Sequence, residues 1–146
     1  MIQYYVSVDS VNMNERNTML ENSAAFSSMS SHDTGASKAF YEGVLGLTVT
    51  DEGMDGIISV HLPKGGAVIV YPKQNHQPAT FTVLNFSVAD IDVVVDELAA
   101  KGVPMEHYEG ADQDEKGIAR GKAAGQGPDI AWFKDPAGNI LSVLSD

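Results

Sequence analysis

The sequence predicts an α+β fold built from two βαβββ modules in tandem. Three observations predict it: a strand followed by an amphipathic helix in the second half, a similar plan 57 residues upstream, and short strand-like runs after each helix. The two copies share little sequence identity. A common plan repeated at a fixed offset nevertheless indicates duplicated modules.

The clearer copy covers residues 81–105. Polar and apolar residues alternate over residues 81–88, the period of a strand, so that Asn85 and Phe86 fall on opposite faces. Asp90 occupies the position of a helix N-cap, and Gly102 that of a C-terminal glycine. An apolar stripe at helical spacing lies between them: Ile91, Val94, Val95, Leu98 and Ala99. We expect this stripe to pack on the face of the strand that carries Phe86.

The upstream copy aligns Asp33 with Asp90. Residues 26–31 form its predicted strand, and Gly46 ends its helix. The predicted helical stripe comprises Ala36, Ala39, Phe40, Gly43 and Val44. This copy therefore predicts the same arrangement of strand, capping aspartate and helix.

Runs of strand-like residues, separated by glycine and proline, complete each module. The first module has predicted strands at 47–50, 57–62 and 67–71, and the second has them at 103–108, 129–134 and 140–144. The polar, proline-bounded segment 72–78 is the expected seam between the modules. Loop 109–128 is long for a compact domain, which is typical of either a functional or a disordered segment.

Length, composition and net charge limit the domain organisation and the classes of function that are possible. The 146 residues are most simply one domain over 23–146, with module one at 23–72, module two at 79–146 and an N-terminal appendage at 1–22. The absence of cysteine excludes disulfides and thiolate chemistry. A net charge of -11 argues against nucleic acid or an anionic membrane as partner. We find no apolar run long enough to span a membrane and no secretory signal, so we expect a cytoplasmic protein.

Two motifs carry a family resemblance. The sequence SKAFYEGVLGL at 37–47 and the sequence WFKDPAGNILSVL at 132–144, in this order and spacing, resemble the vicinal oxygen chelate superfamily of glyoxalases, bleomycin-resistance proteins and extradiol dioxygenases. The resemblance implies a curled mixed β-sheet cup with the helices outside and the ligand inside the cup. It also implies that the protein is a homodimer.

The resemblance makes the metal site testable from sequence. Metal-dependent members take two ligands from each module, and the corresponding positions here are Phe26, Ile69, Val83 and Ser142. None of these side chains is an imidazole or a carboxylate, the donors that such divalent metals need. The sequence therefore predicts no family-type metal and no cofactor.

Most of the histidines are predicted to be exposed at the protein surface. His32 lies beside a helix cap, His76 in the linker, and His107 at a strand end, so we expect all three at the surface. His61, on the third strand of module one, could point into the cup instead.

The candidate ligand-binding residues are chosen by the face of the strand, or the loop, on which each one lies. Together they predict a mixed lining of aromatic, aliphatic and neutral polar groups, which is typical of small-molecule sites. They are Phe26, Ser28, His61, Tyr71, Asn85, Arg120, Trp132 and Ser142. Arg120 belongs to the one basic cluster of the acidic chain, together with Lys116 and Lys122, and could cover an anionic ligand from loop 109–128.

Three functions remain open on this evidence. The leading hypothesis is a metal-free binding protein of the bleomycin-resistance type that holds or sequesters a small organic molecule. The second is a metal-independent, glyoxalase-like lyase or isomerase that uses His61 or Tyr71 as acid or base. The third is a structural or regulatory module whose cup is filled by Phe26, Ile69 and Val83.

Overall fold

The structure, a computed structural model, describes residues 19–146. Most of the predicted appendage at 1–22 therefore lies outside the described residues. The chain separates into two compact units, one ending at His76 and the other comprising Gln77–Asp146. The boundary falls within the proline-bounded segment 72–78.

The first unit is a four-stranded mixed sheet with one helical segment. The strands are β1 (Ser27–Ser31), β2 (Thr48–Asp51), β3 (Ile58–His61) and β4 (Ala67–Pro72), in the spatial order β1-β4-β3-β2. Strand β1 is parallel to β4, and the other pairs are antiparallel. Helix α1 (Thr34–Lys38) continues directly into a π-helical segment (Ala39–Val44).

The second unit repeats this plan. Its strands are β5 (Thr82–Ser87), β6 (Ala119–Arg120), β7 (Asp129–Lys134) and β8 (Ile140–Ser145), in the order β5-β8-β7-β6. Strand β5 is parallel to β8, as β1 is to β4. Helix α2 (Ile91–Ala100) follows β5, and a short helix α3 (Gly121–Ala124) precedes β7. The two βαβββ modules predicted from the sequence are confirmed as two four-stranded mixed sheets.

Both predicted capping aspartates are helix N-caps. Asp33 accepts a hydrogen bond from the Ala36 amide at 3.1 Å, and Asp90 accepts one from the Val93 amide at 3.2 Å. Each carboxylate satisfies an amide that lacks a partner in the first helical turn. The same local chemistry thus starts a helix at both copies of the repeat.

The first helix differs from the predicted α-helical stripe. The Leu45 amide bonds to the Phe40 carbonyl, five residues back, so the helix widens by one residue per turn. The widened turn buries Phe40 and Tyr41, with Tyr41 fully inaccessible, whereas Ala39 and Gly43 of the predicted stripe are exposed. The prediction of a regular α-helix over this segment is therefore wrong at its C-terminal half.

One face of each sheet packs on its helix. In the first unit this face carries Met29, Ser31, Val60, Val68 and Val70, all buried. In the second unit α2 buries Ile91, Val95 and Leu98 against β7 and β8. The buried sheet residues there are Ala131, Phe133, Leu141 and Val143. The helix therefore occupies one face of each sheet and leaves the opposite face for other contacts.

The strand predicted at 103–108 is absent, and β6 takes its place in the sheet. Pro104 has no amide to donate, which disfavours a continuous ladder. The Gln113 side chain instead provides hydrogen bonds to two backbone groups of this segment. It accepts from the Tyr108 amide at 2.8 Å and donates to the Glu106 carbonyl at 2.8 Å. Gln113 thus folds the start of loop 109–128 back onto the preceding segment.

Among the described residues, we find no helix with both the length and the apolar character needed to cross a bilayer.

Candidate functional sites

The open face of the first sheet is rich in hydroxyl groups. Cross-strand partners have side chains on the same face, so Ser28 lies beside Ile69, and Ser30 beside Tyr71. Ile69 is fully buried, whereas Ser30 and Tyr71 are half-buried and Ser28 is exposed. Phe26 lies just before β1 and is 43% exposed. The structure therefore brings Ser28 and Tyr71 together on one face, with Phe26 at its end.

His61 lies on the same open face, at the end of β3. It is exposed, and its Nε2 atom is 2.9 Å from the Thr50 hydroxyl on the neighbouring strand. Among the described residues, the structure records no carboxylate in an ion pair with this imidazole.

A second histidine has a more specific contact that the sequence analysis missed. The Nδ1 atom of His76 is 2.6 Å from the Ser30 hydroxyl, and its ring stacks on that of His32 with centroids 6.0 Å apart. His32 is exposed, as expected, but His76 is half-buried. The two partners of the hydrogen bond are 46 positions apart, which is why spacing gave no signal.

The open face of the second sheet carries a row of three candidate residues on adjacent strands. Asn85 of β5 is paired with Ser142 of β8, which is paired with Trp132 of β7. The Ser142 hydroxyl donates to the Asn85 Oδ1 atom at 2.5 Å. Ser142 is fully buried, Trp132 half-buried and Asn85 exposed. Asn85 and Trp132 are therefore the members of this row that an incoming molecule can touch.

Tyr108 extends the row and was also missed from sequence. Its ring packs edge-on against Trp132, with centroids 5.7 Å apart and planes at 74°. Burial raises the pKa of the Tyr108 phenol, and the nearby Glu106 carboxylate raises it further. The hydroxyl is buried and has no hydrogen-bond partner among residues 19–146. The wrong assignment of 103–108 to a strand hid this contact.

Arg120 is placed differently from the predicted lid. Its strand partner is Asp129, on the face opposite to Trp132. Its guanidinium donates two hydrogen bonds to Asp92 of α2, at 2.7 and 2.9 Å, and one to Asp114 at 3.0 Å. Lys116 also contacts Asp92, at 3.4 Å. Lys116 and Arg120 thus fasten loop 109–128 to α2, whereas the Lys122 ammonium donates to the Asp146 carbonyl at 2.9 Å.

The family metal does not fit the side chains at the sheet centres. The strand pairing places Ser28 beside Ile69 and Asn85 beside Ser142, and the 57-residue repeat makes Ser28 equivalent to Asn85. Ser28 and Asn85 therefore replace two residues of the predicted metal-ligand set. Phe26 lies before β1, and Val83 lies at an irregularity of β5. The hydroxyl and alkyl group of the first unit, and the amide and hydroxyl of the second, each offer neither the imidazole nor the carboxylate that such a metal needs. Within residues 19–146, no three histidine or acidic residues are grouped to hold a metal ion.

Comparison with known proteins gives a family and a fold. The model of the Glyoxalase/Bleomycin resistance protein/Dioxygenase superfamily matches residues 28–143. A search of curated proteins gave no significant match.

Solved structures with a similar fold share little sequence identity with this chain. Lactoylglutathione lyase from Agrobacterium tumefaciens has a TM-score of 0.58 at 20% identity, over 84% of this chain and 93% of that one. The antibiotic-binding protein TnmS3 from Streptomyces sp. CB03234 has a TM-score of 0.61 at 17% identity, over 87% and 98%. The fosfomycin resistance protein FosX from Listeria monocytogenes has a TM-score of 0.59 at 13% identity, over 85% and 93%.

Proposed function

The chain belongs to the Glyoxalase/Bleomycin resistance protein/Dioxygenase superfamily, and from this premise we propose that it is a metal-independent binding protein for a small, partly aromatic organic molecule. The ligand lies on the open face of the second sheet, against Trp132 and Asn85.

One observation carries the proposal: the central side chains of this face are suited to binding an organic molecule and unsuited to binding a divalent metal. The pair Asn85 and Ser142 occupies the centre of the parallel strands β5 and β8. An amide and a hydroxyl form hydrogen bonds with neutral organic groups, whereas zinc, iron or manganese sites are built from imidazole, carboxylate or thiolate.

The hydrogen bond inside the row also orients the amide. Because Asn85 Oδ1 accepts from Ser142 at 2.5 Å, the Nδ2 group of this exposed side chain is directed toward other acceptors. Trp132, on the next strand but one, offers an indole surface on which an aromatic ring can stack. These two groups favour a flat ligand that carries a carbonyl or another acceptor near the ring.

Among the solved structures of similar fold, TnmS3 supports a binding role by its description. TnmS3 is described as an antibiotic-binding protein, and FosX as a fosfomycin resistance protein. Because their identity to this chain is low, these structures support a common fold and no more. The choice of a binding function therefore rests on Asn85, Ser142 and Trp132.

The sole tryptophan of the sequence provides a direct assay. We expect a compound from a panel of flat ring-carbonyl compounds, such as substituted quinones, to quench Trp132 fluorescence saturably in protein treated with EDTA. The Asn85→Leu variant, which keeps the side-chain size but loses the amide donor, should weaken binding by about tenfold, the value of one hydrogen bond to a neutral acceptor.

Val93→Ala is the matched control for this assay. Val93 is an exposed apolar residue on α2, which packs on the other face of the second sheet. Its removal should leave the quenching curve unchanged. Equal affinities of wild-type protein and Asn85→Leu would contradict the assignment of the amide to ligand binding.

We also propose that the protein is a homodimer, as the family resemblance implies. Phe81 is a large apolar side chain that is 67% exposed, so we take it as the position at which to test association. Native mass spectrometry of untagged protein should give twice the monomer mass. The Phe81→Ser variant should shift the equilibrium toward monomer, and an exclusively monomeric wild-type protein would contradict the proposal.

A further inference from the structure

We propose that Ser30 is a nucleophile activated by His76, and that the first unit transfers acyl groups from small esters to water. This activity is separate from ligand binding on the second sheet, because the residues that carry it all lie before Gln77.

The geometry meets the first requirement of an activated serine. The Ser30 hydroxyl and His76 Nδ1 are 2.6 Å apart, within the range expected of a nucleophile and its general base. Ser30 is half-buried and lies on the sheet face opposite the helix. Part of Ser30 therefore remains exposed to solvent, and we expect a carbonyl group to approach the hydroxyl there.

The chain holds His76 in place by backbone hydrogen bonds. The Lys73 amide donates to the Ser31 carbonyl at 3.0 Å, and the His76 amide donates to the Lys73 carbonyl at 3.1 Å. The segment after β4 is thus tied to the end of β1 and then turned so that His76 reaches Ser30. Such positioning converts a flexible linker histidine into a preorganised base.

Two neighbours complete the cluster. The His32 ring stacks beside that of His76, with the centroids 6.0 Å apart and the planes at 28°. Tyr71 is the cross-strand partner of Ser30, so its side chain lies on the same face. Its ring offers an apolar contact for the substituents of a bound ester.

The reaction requires only the ester and water. The Ser30 oxygen attacks the ester carbonyl as its proton passes to His76 Nδ1; the C–O bond to the alcohol breaks, and the alcohol leaves with that proton. A water molecule then attacks the acyl-serine while His76 accepts its proton, and this proton returns to the Ser30 oxygen as the acid departs. No redox partner is needed.

The test uses p-nitrophenyl acetate and the full chain. We expect nitrophenolate release, a mass gain of one acetyl group, and peptide mapping of that group to Ser30. Ser30→Ala removes the nucleophile together with its assistance by His76, and such general-base assistance alone typically contributes about 100-fold, so nitrophenolate release should slow at least about 100-fold. Ser27→Ala is the matched control, because Ser27 is an exposed serine on the same strand, and it should keep the wild-type rate.

A second variant separates proton transfer from hydrogen bonding. His76→Asn can keep a polar atom near the position of Nδ1 but cannot accept the proton, so it should lose the rate as fully as Ser30→Ala. Circular dichroism checks that each variant is folded. Wild-type rates in either variant, or acetylation of His76 itself at the wild-type rate in Ser30→Ala, would overturn the proposal.

Discussion

Replacing Asp92 by asparagine should destabilise the second unit. Hydrogen bonds from the Arg120 guanidinium, opposed by partial burial, lower the pKa of Asp92 from 3.8 to about 2. The full linkage for such a pKa difference is roughly 2.4 kcal/mol. The Asp92 side chain is 43% exposed, so solvent screens the pair and we expect about 1 kcal/mol.

The sign of the pH dependence follows from the lowered pKa. The carboxylate is more acidic in the folded chain, so its contribution is fully present above its unfolded pKa of about 4. The contribution is lost as the pH falls through about 2, where folded Asp92 also becomes protonated. Wild-type protein and Asp92→Asn should therefore differ at pH 7 and converge between pH 4 and 2.

Urea unfolding at a series of pH values measures this difference. Asp96→Asn is the control, since Asp96 contacts Lys116 at 3.2 Å with a side chain that is 62% exposed. We expect that change to cost less than about 0.5 kcal/mol. A difference between wild type and Asp92→Asn that stays constant down to pH 2 would refute the assignment to the ionised pair.

Three further changes test packing and local structure by the same unfolding assay. Phe133→Ala removes a fully buried ring and should cost about 3–5 kcal/mol. Gly121→Ala should cost about 1–3 kcal/mol, because a Cβ there would lie 2.3 Å from the Pro128 carbonyl oxygen, whereas Gly43→Ala, with nothing within 4 Å, should be tolerated. Asp90→Ala removes the cap of α2 and should cost about 1 kcal/mol. Losses below about 0.3 kcal/mol in Phe133→Ala, Gly121→Ala or Asp90→Ala would contradict these packing and capping assignments.

Local signals in the sequence were sufficient for the repeat. Asp33 and Asp90 cap helices in the structure because a cap depends on residues three positions away. The alternation before Asp90 likewise placed Asn85 and Phe86 on opposite faces of β5. Motifs of this range are encoded in short stretches of sequence and can be read from them.

Contacts between distant residues were beyond such reasoning. Ser30 and His76 meet because β1 and the end of β4 are parallel neighbours, a fact that neither segment states alone. Arg120 was predicted to face a ligand because its positive charge stood out in an acidic chain. In the structure the acidic residues closest to it, including Asp92 of α2, take up its hydrogen bonds.

The π-helical segment after Lys38 could not be predicted from α-helical spacing either, because that spacing assumes 3.6 residues per turn. A wide turn changes which side chains face the sheet, so it buries Tyr41 and exposes Gly43. Within this turn Phe40 and Tyr41 are both buried and lie edge to face, with their centroids 5.4 Å apart.

The most direct test of metal-independent binding is to titrate untagged, EDTA-treated protein with the panel of ring-carbonyl compounds while Trp132 fluorescence is measured. We predict saturable quenching by at least one compound, with the same affinity before and after addition of excess zinc or manganese. The absence of saturable quenching across the panel, or quenching that appears only after the metal is added, would contradict the account.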